Sequence, residues 1–354
     1  MSCSYPMFRI PGEALLHHPL FSAYENRLYN NGVIIQRSEY EALKKTYPVL
    51  ADRIDQIPCG KCIQCRLSYS RDWANRCMME LKTSTNAVFI TLTYDNAHLR
   101  FNPYVDAETG EVGYKPMLWP ADLRNFMKRL RFWCSEQPGN GSMTQRFYAC
   151  GEYGEASERP HYHLIVYNLP PEFYEHSHVF TNGICAPYWT CSALDKLWPS
   201  GLSVYGDVSW ECCAYVARYV MKKRKGKTRQ EQIAVQEQFF PNDPWIDEFT
   251  RMSRMPGLGR AYYDEHKDEI YATDEIFVPR GGSVQPARPC KYYDRLFDVE
   301  RKDGMLLIKK SRKATAKQLE LCLSDKTDLS LPDYLEQQEE SKQAQAKRLI
   351  RPDI

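Results

Sequence analysis

The sequence predicts an α+β fold, with a central, mostly antiparallel sheet flanked by helices and a cysteine-rich segment ahead of it. Three observations carry this. Apolar residues recur at helical spacing in 66–82, 120–134 and 210–225. The segments 87–95, 146–152 and 161–169 are rich in β-branched and aromatic residues and read as strands. The order of elements is helix, strand, helix, strand, strand, helix, strand, helix, and the two consecutive strands are joined by a polar loop.

Taken in order, 1–58 shows few clear periods and several turn signals such as YNNG, so loops and short elements are expected there. The helix at 66–82 presents Trp73, Cys77, Met78 and Leu81 on one face. The strand AVFITLTYD ends at Asp95-Asn96, and 100–120 reads as a loop or hairpin. Pro120 marks the start of a helix whose face is Leu123, Phe126, Met127, Leu130 and Trp133. A loop containing NGICAPYW leads to a short helix at 192–198, and GLSVYGDV reads as another strand. The helix at 210–225 runs into a basic stretch, after which the pattern weakens. FVPRGGSVQ, 277–285, resembles a hairpin with a Gly-Gly turn. From about 298 the chain is highly charged, and its last stretch has too few apolar residues for a core, so a frayed helix or disorder is expected.

With 354 residues the chain can bury a sizeable core. Its net charge of +2 makes it no simple polycation, but its basic residues are clustered, and clusters decide where phosphate is drawn. Aromatic residues make up 13%, with 24 tyrosines, and aromatic rings can stack on bases. No apolar run is long enough for a membrane span, and no P-loop implies ATP. The N-terminus has no charged start and apolar centre of a signal peptide, so 13 cysteines point to reduced thiols, some binding metal, rather than a disulfide framework.

The segment ERPHYHLIVYNL places His161 and His163 two residues apart in a strand, so both imidazoles face one side, while Tyr162, Leu164 and Val166 face the core. The preceding strand puts Arg146, Tyr148, Cys150 and Glu152 on one face, and a hairpin would bring Glu152 beside the histidines. Two imidazoles and a carboxylate suit a divalent ion, Mg²⁺ or Mn²⁺ for phosphoryl chemistry, with positions left for substrate oxygen. A His-x-His pair alone is a weak signal, shared by His176 and His178 in an expected loop.

In AYVARYVMKK, Tyr215 and Tyr219 share a helical face flanked by Arg218 and Lys222, while Cys213, Val216, Ala217 and Val220 cover the opposite face. The plainer alternative is an aromatic core stripe, but the helix has a complete apolar face without the tyrosines. A tyrosine hydroxyl can attack a phosphodiester to give a covalent link and a free 3′-hydroxyl. Its ordinary pKa of about 10 calls for help, which nearby cations give by favouring the phenolate.

These residues together resemble the HUH endonuclease superfamily, which initiates rolling-circle DNA replication. Its three motifs are matched by FITLTYD, PHYHLIV and YVARYVMKK. The paired tyrosines, CGKCIQCR, an R-x-W-A-x-R helix and MSRMPGLGR resemble the gokushovirus-type microvirus replication initiators over 59–260. The resemblance implies Glu152 as third ligand, Tyr215 and Tyr219 as alternating nucleophiles, and an origin-nicking and rejoining activity on single-stranded or supercoiled DNA. It also implies a host DNA polymerase, helicase and single-strand binding protein as partners, in the cytoplasm of the bacterial host. The family's lysine often lies between the tyrosines; here Arg218 stands there, and Lys222 takes the role. A two-tyrosine transposase or relaxase shares this chemistry, and a non-catalytic zinc-stabilised DNA-binding protein is the non-enzymatic alternative. The implied organisation is an N-terminal segment 1–85, an HUH core 86–229, an extension 230–297 packed on it, and a charged tail 298–354.

Cys59, Cys62 and Cys65 follow a C-x2-C-x2-C spacing, and Cys3 offers a fourth thiolate for a structural zinc ion, with Cys77 as the alternative. An iron–sulfur cluster uses such triplets too, and free cysteines also pack as small apolar residues. Such a zinc ion would fix the N-terminal segment against the helix at 66–82. Lys222, Lys223, Arg224, Lys225, Lys227 and Arg229 follow the tyrosines and suggest a path for a DNA backbone, extended by Arg124, Lys128, Arg129 and Arg131. Arg280 and Arg288 near the Gly-Gly hairpin are further candidates for DNA contact.

Overall fold

The structure, a computed structural model, describes residues 3–11, 32–47, 49, 54–139, 143–154, 157–174, 177–181, 187–218, 227–325, 327–329 and 331–348. The elements in chain order begin with β1 (Met7–Pro11), β2 (Gly32–Ile35), α1 (Arg37–Thr46), β3 (Asp55–Ile57) and α2 (Ile63–Lys82). Next come β4 (Ala87–Thr93), β5 (Phe101–Val105), β6 (Val112–Pro116), α3 (Pro120–Ser135), β7 (Arg146–Tyr153) and β8 (Pro160–Tyr167). They are followed by β9 (Ser177–Thr181), β10 (Pro187–Thr190), α4 (Ser192–Leu197), β11 (Ser203–Asp207) and α5 (Trp210–Arg218). The C-terminal third contains α6 (Lys227–Phe239), β12 (Phe249–Met252), α7 (Arg260–Thr273), β13 (Ile276–Arg280), β14 (Ser283–Ala287), α8 (Lys291–Glu300), α9 (Lys302–Ser324) and α10 (Leu331–Arg348).

The chain divides into two compact units. One comprises the N-terminal stretch to Ser68 together with the stretch from Lys309, and the other runs from Tyr69 to Ile308. In the first unit, 1–58 is more regular than its turn-rich sequence predicts. Strands β2, β1 and β3 form an antiparallel sheet in that order. Its core is Phe8, Ile10, Val33, Ile35 and Ile54, with Tyr40 of α1 stacked on Phe8 at 4.1 Å.

The second unit is built on a seven-stranded sheet of order β12-β7-β8-β4-β11-β10-β9, antiparallel at every pairing. The α+β expectation therefore holds. The expected loop around His178 is instead the edge strand β9, and His176 lies outside the described residues. The strand-and-loop segment 100–120 forms the β5–β6 hairpin. The Gly-Gly hairpin forms as expected between β13 and β14, with Gly281 and Gly282 at φ 56° and 76° in the left-handed region.

Period-2 alternation sends β8 side chains to two different cores. Tyr162, Leu164 and Val166 join Val88, Ile90, Leu92 and Ala149 under α3 and α4. The histidine side is covered as well: Ile165, Tyr167, Phe89 and Cys150 pack against Trp73, Cys77 and Met78 of α2 and Cys213, Val216 and Ala217 of α5. That second core extends to Tyr262, Tyr263 and Ile270 of α7, Tyr293 and Phe297 of α8, and Met305. Many tyrosines that could have stacked on bases are thus core residues. The helices after 226, where the sequence pattern weakens, close this side of the sheet.

Two of the motifs meet here. Arg76, from the R-x-W-A-x-R helix, donates to the Leu258 carbonyl at 2.7 Å and lies over the rings of Trp73 and Tyr292. Buried Glu80 accepts from the Gly259 amide at 2.5 Å and pairs with Arg146, which also donates to the Pro256 carbonyl. The PGLG loop is therefore clamped by α2 and β7. No described helix is long and apolar enough to cross a membrane, and the described cysteines are free.

Candidate active site

Register determines what meets at the site. On β7 and β8, Cys150 stands opposite His163 and Glu152 opposite His161. On the other side of β8, Thr91 stands opposite His163 and Thr93 opposite His161. The two imidazoles and the carboxylate therefore project from one face of two central strands. Their ligand atoms lie within 4.8 Å of one another. Glu152 is 2% exposed and His163 3%, whereas the His161 side chain is 15% exposed, so the cluster opens to solvent on the His161 side.

The hydrogen bonds set the imidazole tautomers. Nδ1 of His161 lies 3.1 Å from the Arg159 carbonyl oxygen, which can only accept, so Nδ1 carries the proton. Nε2 of His161 then faces Oε1 of Glu152 in direct contact. Two lone-pair-bearing atoms face each other stably only with a cation between them, either a proton or a metal ion. Nε2 of His163 is 3.0 Å from the same Oε1, and its Nδ1 is 2.9 Å from the Thr91 hydroxyl. The other carboxylate oxygen, Oε2, is buried with no hydrogen-bond partner. Burial raises the Glu152 pKa, but the charges and hydrogen bonds of the two histidines outweigh it, and the carboxyl is held below its ordinary value. An anionic oxygen left over in a nearly buried site, beside two aimed imidazole nitrogens, fits a divalent cation.

Helix α5 brings the phenol. Trp210, Cys213, Ala214, Val216 and Ala217 bury one face of this helix, leaving Tyr215 half-buried at the cluster. The Tyr215 ring packs edge-on against His163 at 5.2 Å, and its hydroxyl donates to Glu152 Oε1 at 3.4 Å. Trp210 is fixed by Asn75 at 2.7 Å and by Arg280, whose guanidinium lies 3.8 Å from the ring. Arg280, read as a candidate DNA contact, is thus engaged within the protein.

The structure brings Glu152, His161, His163 and Tyr215 together and places Arg218 at the end of α5. Tyr219, Lys222, Lys223, Arg224 and Lys225 lie outside the described residues, and Lys227 and Arg229 are described only as backbone of α6. The cations of α3 belong elsewhere. That helix packs on the sheet face opposite the histidines; Arg129 donates to the Leu197 carbonyl and Arg131 to the Gln145 carbonyl. Two contributors had not been singled out: Thr91, whose place in FITLTYD alternates with Phe89 on the histidine face, and the Arg159 carbonyl.

In the other unit, the four sulfurs of Cys3, Cys59, Cys62 and Cys65 lie within 4.8 Å of one another and form a second group able to hold a metal. Cys77, the alternative fourth ligand, is buried in the core between α2 and the sheet.

Comparison with known proteins agrees with the motifs. Residues 87–224 match the family model of the replication-associated protein ORF2. The chain is 29% identical to the replication-associated protein ORF2 of Spiroplasma virus 4 over 92% of this chain and 91% of that protein. It is 26% identical to the replication-associated protein VP4 of Bdellovibrio phage phiMH2K, over 64% of this chain and 63% of that one. It is 30% identical to the replication-associated protein ORF4 of Chlamydia phage 1, over 47% and 38%. No solved structure matches at a significant level. These matches place the chain among the microvirus-type phage replication-associated proteins, as its motifs led us to expect.

Proposed function

We propose that this protein is a metal-dependent HUH endonuclease that nicks a phage origin through a phosphotyrosine link and later rejoins the unit-length circle. The observation that carries this is the approach of the Tyr215 hydroxyl to the Glu152, His161 and His163 cluster. A core tyrosine would bury its ring away from a charged group, whereas this phenol points at one.

Mg²⁺ or Mn²⁺ bound by Glu152, His161 and His163 would supply positive charge to polarise the scissile phosphate. The Tyr215 oxygen attacks phosphorus, and the bond to the 3′ oxygen breaks. The phenol gives up its proton, and the leaving oxygen gains one to become a 3′-hydroxyl. No water is consumed, so attack by a 3′-hydroxyl on the phosphotyrosine reverses the step and joins the strand. Tyr219, one helical turn further in sequence, serves as the second nucleophile, with Arg218 and Lys222 favouring the phenolates. The basic run 222–229 guides the DNA backbone, and host polymerase, helicase and single-strand binding protein act on the product inside the host cell. The four-cysteine cluster is a separate, structural metal site in this scheme.

The test is incubation with single-stranded origin DNA and Mg²⁺ or Mn²⁺, followed by a search for a protein–oligonucleotide adduct that survives denaturant. The double variant Tyr215→Phe, Tyr219→Phe is expected to bind DNA without forming it. An undiminished adduct in that variant sinks the assignment.

A further inference from the structure

We propose that Cys3, Cys59, Cys62 and Cys65 hold one zinc ion, and that Glu339 of α10 is the positioning residue that ties the C-terminal helix to this centre. Four sulfurs at about 2.3 Å around an ion in a tetrahedron sit about 3.8 Å from one another. Here Sγ of Cys3 and Cys62 are 3.8 Å apart, and Sγ of Cys59 and Cys65 are 4.0 Å apart. Those separations are far too long for a disulfide, and all four cysteines are free. Backbone amides are aimed at the sulfurs: Cys59 donates to Cys3 at 3.3 Å, Lys61 and Cys62 to Cys59 at 3.4 and 3.3 Å, and Cys65 to Cys62 at 3.4 Å. Amides in these positions favour the thiolate, the form that binds metal.

Glu339 is a carboxylate only 4% exposed. Its Oε1 accepts from the Ile63 amide at 2.8 Å, and its Oε2 accepts from the Ser4 hydroxyl. Ser4 follows Cys3, and Ile63 lies between Cys62 and Cys65 as the first residue of α2. Both donors are therefore neighbours of ligands, and convergence of the sulfurs sets where they stand. The first turn of α2 has no acidic residue of its own, so Glu339 supplies the anion that a helix N-terminus favours. Lys342, nearly one turn further along α10, donates to buried Gln64 at 3.0 Å. Without the ion the thiols disperse, Glu339 loses its donors, and a buried carboxylate without partners is costly enough to release the helix.

The experiment uses the full chain. Elemental analysis should find about one zinc per chain, and Co²⁺ exchange should give the thiolate charge-transfer absorption of a tetrahedral site. Glu339→Ala should weaken zinc in competition with a chromogenic chelator by about 10–100-fold and speed proteolysis within 331–348. Glu339→Gln keeps an acceptor for the Ile63 amide and should recover most of both. Iron with sulfide, no bound metal, or unchanged affinity in Glu339→Ala overturns the proposal. Tyr215→Phe should retain its zinc, so failure of the nicking scheme and failure of this one are told apart.

Discussion

The Thr91 hydroxyl on β4 stands 2.9 Å from Nδ1 of His163 on the neighbouring strand, deep in the histidine-side core. With Nε2 of His163 turned to Glu152, Nδ1 must carry the proton, and Thr91 is its acceptor. Thr91→Val keeps the shape and removes the acceptor. It should weaken Mn²⁺ binding by about 10–100-fold, with Thr91→Ser close to the parent. Titration of Mn²⁺ against each purified variant reads this directly, and equal affinities would refute the role.

Glu152 gives a dependence on pH whose sign is fixed. Its carboxyl is held below the ordinary value because the two histidines outweigh burial. A depressed carboxyl stabilises the fold above its unfolded pKa, about 4.3, and that contribution is lost as pH falls through the folded value. In metal-free protein, urea midpoints for the parent and Glu152→Gln should therefore differ most near neutrality and converge in acid. Protons and metal compete for the same nitrogens, so divalent-ion affinity should also fall with acidification. A gap that widens in acid would contradict this account.

Much of the site was legible because strand alternation is a local property. His161, His163 and Glu152 could be put on one face from residue spacing alone, and Tyr215 on a helical face from its apolar complement. What was not legible depended on distant partners. The histidine face looked free for substrate, yet Tyr263, Tyr293 and Phe297 arrive from far along the chain to cover much of it. The C-terminal helix α10 has few apolar residues to announce burial, and among its described side chains the buried one is the charged Glu339. Strand β9 sits at a sheet edge, held by backbone pairing to β10 that leaves little mark on side-chain pattern.

The clamp between α2, β7 and the PGLG loop predicts a large stability effect remote from the site. Glu80 is buried between Arg146 and the Gly259 amide. Removing one partner of such a pair leaves the other charge uncompensated, at a cost of about 3–5 kcal/mol. Glu80→Ala should lose that much in urea denaturation, while Glu80→Leu with Arg146→Met should lose less because no charge stays behind. Equal losses would show that the pair is not the source of the effect.

Gly201 should be the least replaceable of the glycines beside the sheet. Its φ of 154° lies in the region that favours glycine, and a Cβ would come within 2.3 Å of the Thr93 carbonyl oxygen and 2.5 Å of the Asp95 amide. Both contacts are backbone, so no rotamer change relieves them. The close approach serves pairing at the end of β4: Thr93 donates to the Leu202 carbonyl at 2.9 Å and Asp95 to the Ser200 carbonyl at 3.0 Å. Thr93 also stands opposite His161, so displacing this segment disturbs the strand beside the metal ligands. Gly201→Ala should cost about 3 kcal/mol or more and weaken Mn²⁺ binding together with stability. Gly110→Ala is the control, since that glycine is at φ 72° with nothing near its absent Cβ, and it should cost only about 1 kcal/mol of backbone strain. Thermal melts of the two variants side by side decide the matter, because strain alone would shift them equally and backbone collision would not.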